Sequence, residues 1–446
     1  MAKNIHEIRD PIHVFVRLDN RERDVVDSRP FQRLRHIHQL AMTYLVYPGA
    51  THRRFEHSLG VMELAGRVFD VITRAENITD KIRELIPEVT RDGDLPYWRR
   101  VLRAAALCHD LGHLPFSHAA EKELLPPGWD HERLTQELIL SDELKGIWNQ
   151  RPPLEPLDIV KLAIGPEKAR DLKFSAWETI LSEIIVGDAF GVDRMDYLLR
   201  DSHHVGVVYG TFDHYRLTDT LRILTSPPAG DGDIGNEPAL GVEFGGLHTA
   251  EALMLARYFM FSQVYFHPVR RIYDIHLKDF LKEWLDNGLF CTKIGCHLTL
   301  TDNEVTAAFR EAAFDSEKAG HIHAERIICR KHFKQVYERN PTDEAINPDA
   351  ADAVFNALCT KYGPQQIRRD KHSQKGGAPN FPVLRHDRRI ESSLAVSHIL
   401  NKLPPPAVDH IFCGRDIYLE ALIWVESEEM KKIIKDAAVE EEHDNG

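Results

Sequence analysis

A His-Asp doublet, His109-Asp110, stands where the chain has to end a helix. The apolar run at 101–108 predicts that helix, and Gly112 and Pro115 predict its end. Neighbouring side chains on a regular helix point about 100° apart, so a His and an Asp that reach one ion fit best at a helix end. Imidazole nitrogen with carboxylate oxygen suits a hydrolytic transition-metal site. Such doublets also arise by chance, and this interpretation therefore depends on further ligands elsewhere in the chain.

Composition places the chain among globular proteins. Its 446 residues are 43% hydrophobic and 28% charged, and no run approaches the roughly 18 apolar residues of a transmembrane helix. The net charge of −13 disfavours nucleic acid as the main partner, because a polyanion would be repelled. The cysteines are scattered without a disulfide framework, and no signal-peptide pattern is present. We expect a cytoplasmic protein without a membrane partner, and Cys291 with Cys296-His297 remains an alternative metal site.

The spacing of apolar residues predicts a mostly α fold with a short N-terminal strand or hairpin at 12–18. The predicted helices are 54–72, 99–110, 131–140, 175–201 and 248–286. A hairpin with strands at 221–224 and 239–244 would carry the Pro- and Gly-rich segment 225–238 at its tip.

After about residue 290 the pattern changes to shorter mixed elements. We therefore predict a helical domain over 1–290, a smaller α+β region over 291–438 and a disordered acidic tail over 439–446. Within the α+β region, the basic run 367–380 is expected to form an exposed loop.

Two further segments offer the missing ligands. His57 opens the predicted helix 54–72, and Asp193 lies in the predicted helix 175–201. Asp193, Tyr197 and Asp201 follow one another at four-residue spacing, so one helix face carries acid, phenol and acid together. The alternative for Asp201 is a solvated helix face with ordinary ion pairs.

The order of these motifs resembles that of a known superfamily. His57, His109-Asp110 and Asp193 are similar to the H…HD…D signature of the HD phosphohydrolases, and the resemblance is closest to the deoxynucleoside triphosphate triphosphohydrolases. The matching segments are 10–13, 31–35, 48–60, 107–118, 129–132 and 193–206. The resemblance implies a helical HD-domain core over 1–290 and a regulatory or oligomerisation role for 291–438.

The resemblance also implies roles for individual residues. The metal, iron, manganese or zinc, would be held by His57, His109, Asp110 and Asp193. The catalytic histidines around the phosphates would be His113, His118 and His131. The substrate-binding residues would be Gln39, Arg54, Arg194, Tyr197, Asp201, Arg257 and Tyr265. Mg²⁺ would accompany the nucleotide. For Arg257 and Tyr265, a surface position and ordinary helix packing remain the respective alternatives.

A second nucleotide site follows from the same resemblance. The residues that would bind an activating nucleotide are Asp27, Gln32, Arg35, Arg330 and Lys334. The last two are spaced like a basic pair on one helix face, although a solvated basic helix is the alternative. The chain has Glu243 and Pro268 where the vertebrate pattern has basic residues, which puts a second activator in doubt. A homodimer or homotetramer is expected.

The predicted function is metal-dependent hydrolysis of a deoxynucleoside triphosphate to deoxynucleoside and triphosphate, activated by a nucleotide. Two alternatives remain: an HD phosphohydrolase for a monophosphate or cyclic dinucleotide, and a nucleotide-sensing subunit without turnover. Arg54, Arg194 and Arg257 favour a triphosphate, because a monophosphate does not need three arginines.

Overall fold

The computed structural model describes residues 5–91, 93–117, 121–226, 237–373 and 378–444. The chain divides into two compact units, each assembled from three stretches. The first unit contains Met1–Met260, Leu289–Val305 and Gly376–Pro404, and the second contains Phe261–Gly288, Thr306–Lys375 and Pro405–Gly446. The predicted domain boundaries at 290 and 438 stay predictions.

The fold is mostly helical, as predicted. The helices of the first part of the chain are α1 (Asn20–Asp27), α2 (Arg29–Arg33), α3 (Arg54–Ile72), α4 (Asp80–Leu85), α5 (Asp94–Cys108), α6 (Glu121–Leu124), α7 (His131–Ile139), α8 (Asp142–Trp148), α9 (Pro156–Lys168), α10 (Ala176–Val186), α11 (Val192–Val205), α12 (His214–Thr220) and α13 (Leu247–Met260). The helices that follow are α14 (Pro268–Trp284), α15 (Ile294–His297), α16 (Asp302–Ala312), α17 (His321–Ile328), α18 (Pro341–Ile346), α19 (Ala350–Tyr362), α20 (Ser393–Val396), α21 (His398–Lys402), α22 (Tyr418–Val425) and α23 (Glu428–Asp444). Within the described ranges, no helix is long and apolar enough to cross a membrane.

Short strands accompany the helices in three sheets of the described chain. The strands are β1 (His6–Asp10), β2 (Val14–Leu18), β3 (Leu221–Thr225), β4 (Pro238–Glu243), β5 (Lys334–Glu338), β6 (Ile367–Ser373), β7 (Pro382–Leu384), β8 (Ile390–Ser392) and β9 (Ala407–Cys413). The first unit holds the β1-β2 hairpin and a sheet of order β3-β4-β7-β8, in which β4 and β7 are parallel. The second unit holds the antiparallel sheet β5-β9-β6, which packs against α19 and α22.

Helix α3 is the central element of the first unit. It packs against α5 and α11, and its apolar residues, such as Leu64 and Val68, are fully buried. The helix begins where the backbone N–H of Arg53 donates to the carboxylate of Glu56 at 2.7 Å. Helix α5 ends at Cys108, directly before the doublet, and this confirms the predicted helix end. The packing of these helices therefore brings the N-terminal turn of α3 and the end of α5 into one region.

The loop after the doublet is held by a carboxylate from far along the chain. Asp302 accepts hydrogen bonds from the backbone N–H of His38 at 2.7 Å and from that of Phe116 at 2.7 Å. Phe116 and Ser117 have φ values of 56° and 58°, in the left-handed region that non-glycine residues seldom adopt. The Asp302 carboxylate offsets this backbone strain and fixes the course of the loop.

Two predicted long helices are each divided in the structure. The segment 175–201 forms α10 and α11, which are separated at Gly187–Gly191. The backbone passes so close to itself there that a Cβ at Gly191 would lie 2.6 Å from the Gly187 carbonyl oxygen. The segment 248–286 forms α13 and α14, with a π-helical turn over Phe261–Tyr265 and Pro268 at the start of α14. A proline lacks the N–H needed in a helix interior, so it favours a new helix start.

Several other predictions meet the structure differently. The β3-β4 hairpin is confirmed, whereas residues 227–236 of its predicted tip lie outside the described residues. The predicted strand 12–18 is a hairpin that begins earlier, at His6. The basic loop prediction for 367–380 is wrong over Ile367–Ser373, which is strand β6. Its arginines Arg368 and Arg369 bind acidic neighbours. Helix α23 ends at Asp444, and residues 445 and 446 lie outside the described residues. The predicted disorder of the tail stays a prediction.

Replacing Gly60 of α3 by Ala is expected to destabilise the first unit. A Cβ at Gly60 would lie 2.0 Å from Asp196 Oδ1 and 2.5 Å from Arg200 Nη2. Overpacking of this kind costs about 1–3 kcal/mol of unfolding free energy, measurable by urea denaturation. Gly146→Ala is the matched control, because Gly146 is exposed on helix α8 and nothing lies within 4 Å of its Cβ position. Equal denaturation midpoints for the two variants would contradict this packing argument.

Candidate metal centre and nucleotide site

Three predicted metal ligands meet in the interior of the first unit. His57 lies in the first turn of α3, and His109 and Asp110 directly follow α5. One ligand atom from each of the three residues lies within 4.8 Å of the other two. The side chains are 7% exposed or less. The helix end therefore does bring both members of the doublet to one point.

Asp193 completes this set from the first turn of α11. Its Oδ1 lies 3.0 Å from His57 Nε2 and 3.6 Å from His109 Nε2. The Asp193 side chain is 36% exposed, whereas that of His57 is fully buried. The four predicted ligands thus converge, with the most accessible one at the edge of the cluster.

The donor set fits a divalent metal. His109 Nδ1 bonds the Ala106 carbonyl oxygen at 2.8 Å, so Nδ1 carries the proton. Its Nε2 is buried and has no hydrogen bond among the described residues. Burial lowers the pKa of His57, but hydrogen bonds to Asp193 and Asp196 outweigh burial and raise that pKa to about 10. The carboxylates therefore create a strong demand for positive charge, which a cation held by two imidazoles and two carboxylates would satisfy.

Two further histidines lie beside the cluster. His113 Nε2 is 3.1 Å from Asp110 Oδ1, and the rings of His113 and His131 stack with centroids 4.0 Å apart. Burial, with the nearby charge of Arg54, holds the pKa of His113 well below its usual value. Burial also opposes the charge on His131, but its 2.6 Å hydrogen bond to Glu121 raises the pKa above the usual value. The site thus places an imidazole whose pKa is lowered against one whose pKa is raised. His118 lies outside the described residues.

Arg54 links the metal cluster to the loop after the doublet. Its Nη1 donates to Asp110 Oδ2 at 2.5 Å, and its Nε donates to Ser117 Oγ at 2.9 Å. The pKa of Asp110 lies well below its usual value, because Arg54 and His109 outweigh the effect of burial. The predicted phosphate-binding arginine is therefore a direct partner of a predicted metal ligand.

The other two predicted arginines lie near Tyr197. Burial lowers the pKa of Arg257, and the charge of Arg194 lowers it further. Tyr197 lies one turn after Asp193 on α11. Burial raises the pKa of Tyr197, whereas the charges of Arg194 and Arg257 lower it. Arg194 Nη2 donates to Asp188 Oδ1 at 3.2 Å. Arg257 is half-buried on α13, and its role in binding phosphate stays a prediction.

The predicted sugar-binding residues occupy three different settings. Asp201 is buried and its Oδ1 accepts a hydrogen bond from His52 Nε2 at 2.7 Å, so the solvated-face alternative is wrong. Gln39 is half-buried, and its side-chain oxygen has no hydrogen-bond partner in the described residues. Tyr265 is buried in the π-helical turn of the second unit. Their roles stay predictions.

The predicted activator residues fall into two groups. In the first unit, Gln32 Oε1 accepts from Arg35 Nε at 2.9 Å, Arg35 lies 3.5 Å over the Phe55 ring, and Asp27 is exposed on α1. In the second unit, the helical pairing of Arg330 with Lys334 is wrong. Helix α17 ends at Ile328, Arg330 has a left-handed φ of 54°, and Lys334 opens β5.

Asp196, which binds the side of His57 opposite the metal cluster, is absent from the predicted site residues. Asp196 Oδ2 accepts from His57 Nδ1 at 2.8 Å, and Asp196 is fully buried. Asp196 follows Asp193 by three residues and therefore projects from the same side of α11, but its burial is not visible in the sequence. Glu121, the partner of His131, carried no sequence signal of this role. None of the candidate ligand groups among the described residues contains Cys291 or Cys296.

Comparison with protein families agrees with this geometry. The HD domain matches residues 54–164, a range that contains His57, His109 and Asp110. The HD associated region matches residues 213–348. The chain belongs to the HD-domain superfamily of phosphohydrolases.

Individual relatives connect the chain to nucleotide enzymes. Human deoxynucleoside triphosphate triphosphohydrolase SAMHD1 is 30% identical over 381 residues, which cover 76% of this chain and 56% of that protein. The chain thus spans about half of the length of this vertebrate relative. An uncharacterized Bacillus subtilis protein, YwfO, is 32% identical over 359 residues, covering 75% of this chain and 72% of its own length. The crystal structure of a hypothetical protein from Aquifex aeolicus superposes with a TM-score of 0.76 at 32% identity, covering 95% of this chain and 100% of that chain.

Asp193→Ala is expected to release the metal while the fold survives. The variant removes the carboxylate that faces both His57 and His109, and a partly exposed side chain contributes little to packing. The measurement is metal content per chain after dialysis, with circular dichroism to verify the fold. Asp188→Ala is the matched control, since this carboxylate is 82% exposed and belongs to the same region of the chain. Full metal content in Asp193→Ala would show that the ligand set is wrong.

Proposed function

We propose that the protein hydrolyses deoxynucleoside triphosphates to a deoxynucleoside and inorganic triphosphate. The observation that supports this proposal is the group of arginines beside the metal cluster. Arg54 donates to Asp110, and Arg194 and Arg257 lie near Tyr197, one turn after Asp193. Three guanidiniums suit a triphosphate better than a monophosphate, because each can bind two phosphate oxygens in a bidentate way. The relation to enzymes named deoxynucleoside triphosphate triphosphohydrolases supports the same substrate class.

The residues of the site divide the chemistry among them. A divalent metal held by His57, His109, Asp110 and Asp193 would supply Lewis acidity toward a phosphate oxygen and a water molecule. Arg54, Arg194 and Arg257 bind and orient the phosphate chain. Water oxygen forms a bond to the α-phosphorus, the bond from that phosphorus to the 5′ oxygen breaks, and the 5′ oxygen takes up a proton.

In this proposal, the stacked pair of His113 and His131 supplies the proton. Glu121 accepts from His131 Nδ1 and raises the pKa of that imidazole, so the protonated form that can act as an acid is favoured beside His113, whose pKa is lowered. His118, which follows Ser117 in the sequence, is proposed as a further contact to the phosphates. Gln39, Tyr197, Asp201 and Tyr265 are proposed to bind the sugar, with a tyrosine excluding a 2′ hydroxyl by its size.

Regulation by a nucleotide belongs to the same proposal. Asp27, Gln32 and Arg35 would recognise the base of an activating nucleotide, and Arg330 with Lys334 would bind its phosphates in a homodimer or homotetramer. The contact of Gln32 with Arg35 and the stacking of Arg35 on Phe55 favour a preformed flat surface for a base. Mg²⁺ is proposed to accompany the nucleotides.

Product identity tests the proposed reaction. Protein loaded with Mn²⁺, Fe²⁺ or Zn²⁺ is incubated with each dNTP and each NTP, singly and in mixtures, with Mg²⁺ present. We expect deoxynucleoside and triphosphate in chromatography, with faster turnover in mixtures that contain the activator. Asp193→Ala serves as the inactive control. Monophosphate with pyrophosphate as products would overturn the proposed bond cleavage, and no turnover in any mixture would leave a nucleotide-sensing protein instead.

Arg257→Ala is expected to weaken transition-state binding. Loss of a charged hydrogen bond to a phosphate costs about 2 kcal/mol, which is roughly a 30-fold decrease in kcat/KM. The metal content should not change, because Arg257 is not one of the four proposed metal ligands. Arg99→Ala is the control, since Arg99 is an exposed arginine that pairs with Asp70. An unchanged kcat/KM for Arg257→Ala would remove this residue from the substrate site.

A further inference from the structure

The side of His57 that faces away from the metal cluster is bound to a closed network of buried polar groups. His57 Nε2 points to Asp193, whereas His57 Nδ1 lies 2.8 Å from Asp196 Oδ2. A carboxylate only accepts hydrogen bonds, so Nδ1 donates to Asp196, and Nε2 is the nitrogen that faces the ligand cluster. The bond to Asp196 therefore fixes the ring orientation of His57 and keeps the proton on Nδ1 when Nε2 binds a metal.

Asp196 itself has no freedom to turn. Its Oδ1 accepts from His13 Nε2 at 2.7 Å and from Arg200 Nη2 at 2.9 Å. Its Oδ2 accepts from Arg200 Nε at 2.8 Å, in addition to the bond from His57. A carboxylate has about four acceptor positions, and all four are occupied here.

The partners of Asp196 are in turn fixed by Asp10, at the end of β1. Asp10 Oδ2 accepts from Arg200 Nη1 at 2.8 Å, and Asp10 Oδ1 accepts from the backbone N–H of His13 at 2.8 Å. Asp10, His13, Asp196 and Arg200 are each 4% exposed or less. The four residues thus form a buried ring that joins the turn of the N-terminal hairpin to α11.

We infer that this ring of Asp10, His13, Asp196 and Arg200 is a positioning network that holds His57 in its metal-binding orientation. The network acts through His57 and contains none of the residues proposed to bind the substrate. Removing a residue that hydrogen-bonds a metal-binding histidine weakens metal binding roughly 10- to 100-fold. The inference rests on the metal site alone and goes beyond the proposed reaction, because it concerns how the site acquires its metal.

Asp196→Asn tests the network by metal binding without nucleotide. An amide keeps one acceptor oxygen and adds an N–H₂ group, so donors of Arg200, His13 or His57 lose their acceptor. We expect a roughly 10- to 100-fold higher Kd for Zn²⁺ in competition with a chromophoric chelator, and an altered visible absorption spectrum of the Co²⁺ protein. Asp70→Asn is the matched control, because Asp70 accepts a similar two-bond contact from Arg99 on the exposed surface. Parental Zn²⁺ affinity with a parental Co²⁺ spectrum in folded Asp196→Asn would overturn the inference.

Two variants of His13 decide the question if Asp196→Asn does not fold. His13→Gln keeps an N–H donor toward Asp196, whereas His13→Leu removes it at similar volume. We expect His13→Gln to retain most of the Zn²⁺ affinity and His13→Leu to lose about tenfold or more. Equal affinities of the two variants and the parent would overturn the inference. Because no nucleotide is present, this result is independent of whether the proposed dNTP hydrolysis is correct.

Discussion

The structure of the first unit depends on the concentration of negative charge around one buried imidazole. His57 lies between Asp193 and Asp196, which come from successive turns of α11, while Asp110 approaches from the end of α5. Several carboxylates in a buried region repel one another unless cations are interposed. Arg54 and Arg200 supply two of these cations, and a metal would supply the third. The packing of α3 against α5 and α11 is thus coupled to the chemistry of the centre.

This coupling explains which parts of the site could be predicted from the sequence. The end of α5 and the ligand His57 were accessible, because a glycine, a proline and a motif order mark them. Asp196 was not singled out, since a buried carboxylate paired with Arg200 at i,i+4 has the same sequence pattern as a surface ion pair. Burial distinguishes the two cases, and burial depends on tertiary packing.

The wrong predictions of helix and loop bounds have local causes. The helical spacing of apolar residues continues through Gly187–Gly191 and through Phe261–Tyr265. In the structure, the backbone breaks at the two glycines, and a π-helical turn follows α13 at Phe261–Tyr265. Strand β6 was mistaken for a loop because its basic residues suggested solvent. Arg369 instead binds Asp409 on the neighbouring strand, so the positive charge is satisfied inside the sheet. Charge alone therefore does not identify a loop.

The position of Asp302 has a consequence for how this protein can be divided. This carboxylate holds the backbone at His38 and Phe116, next to Ser117, the partner of Arg54. Strands β7 and β8, which extend the sheet beyond β4, come from later still. A fragment that stops near residue 290 would contain all four predicted metal ligands, yet it would lack the carboxylate that holds the loop after the His-Asp doublet, and it would leave β4 as an edge strand. The complete set of motifs is therefore not a complete folding unit, because the first unit also contains residues 289–305 and 376–404.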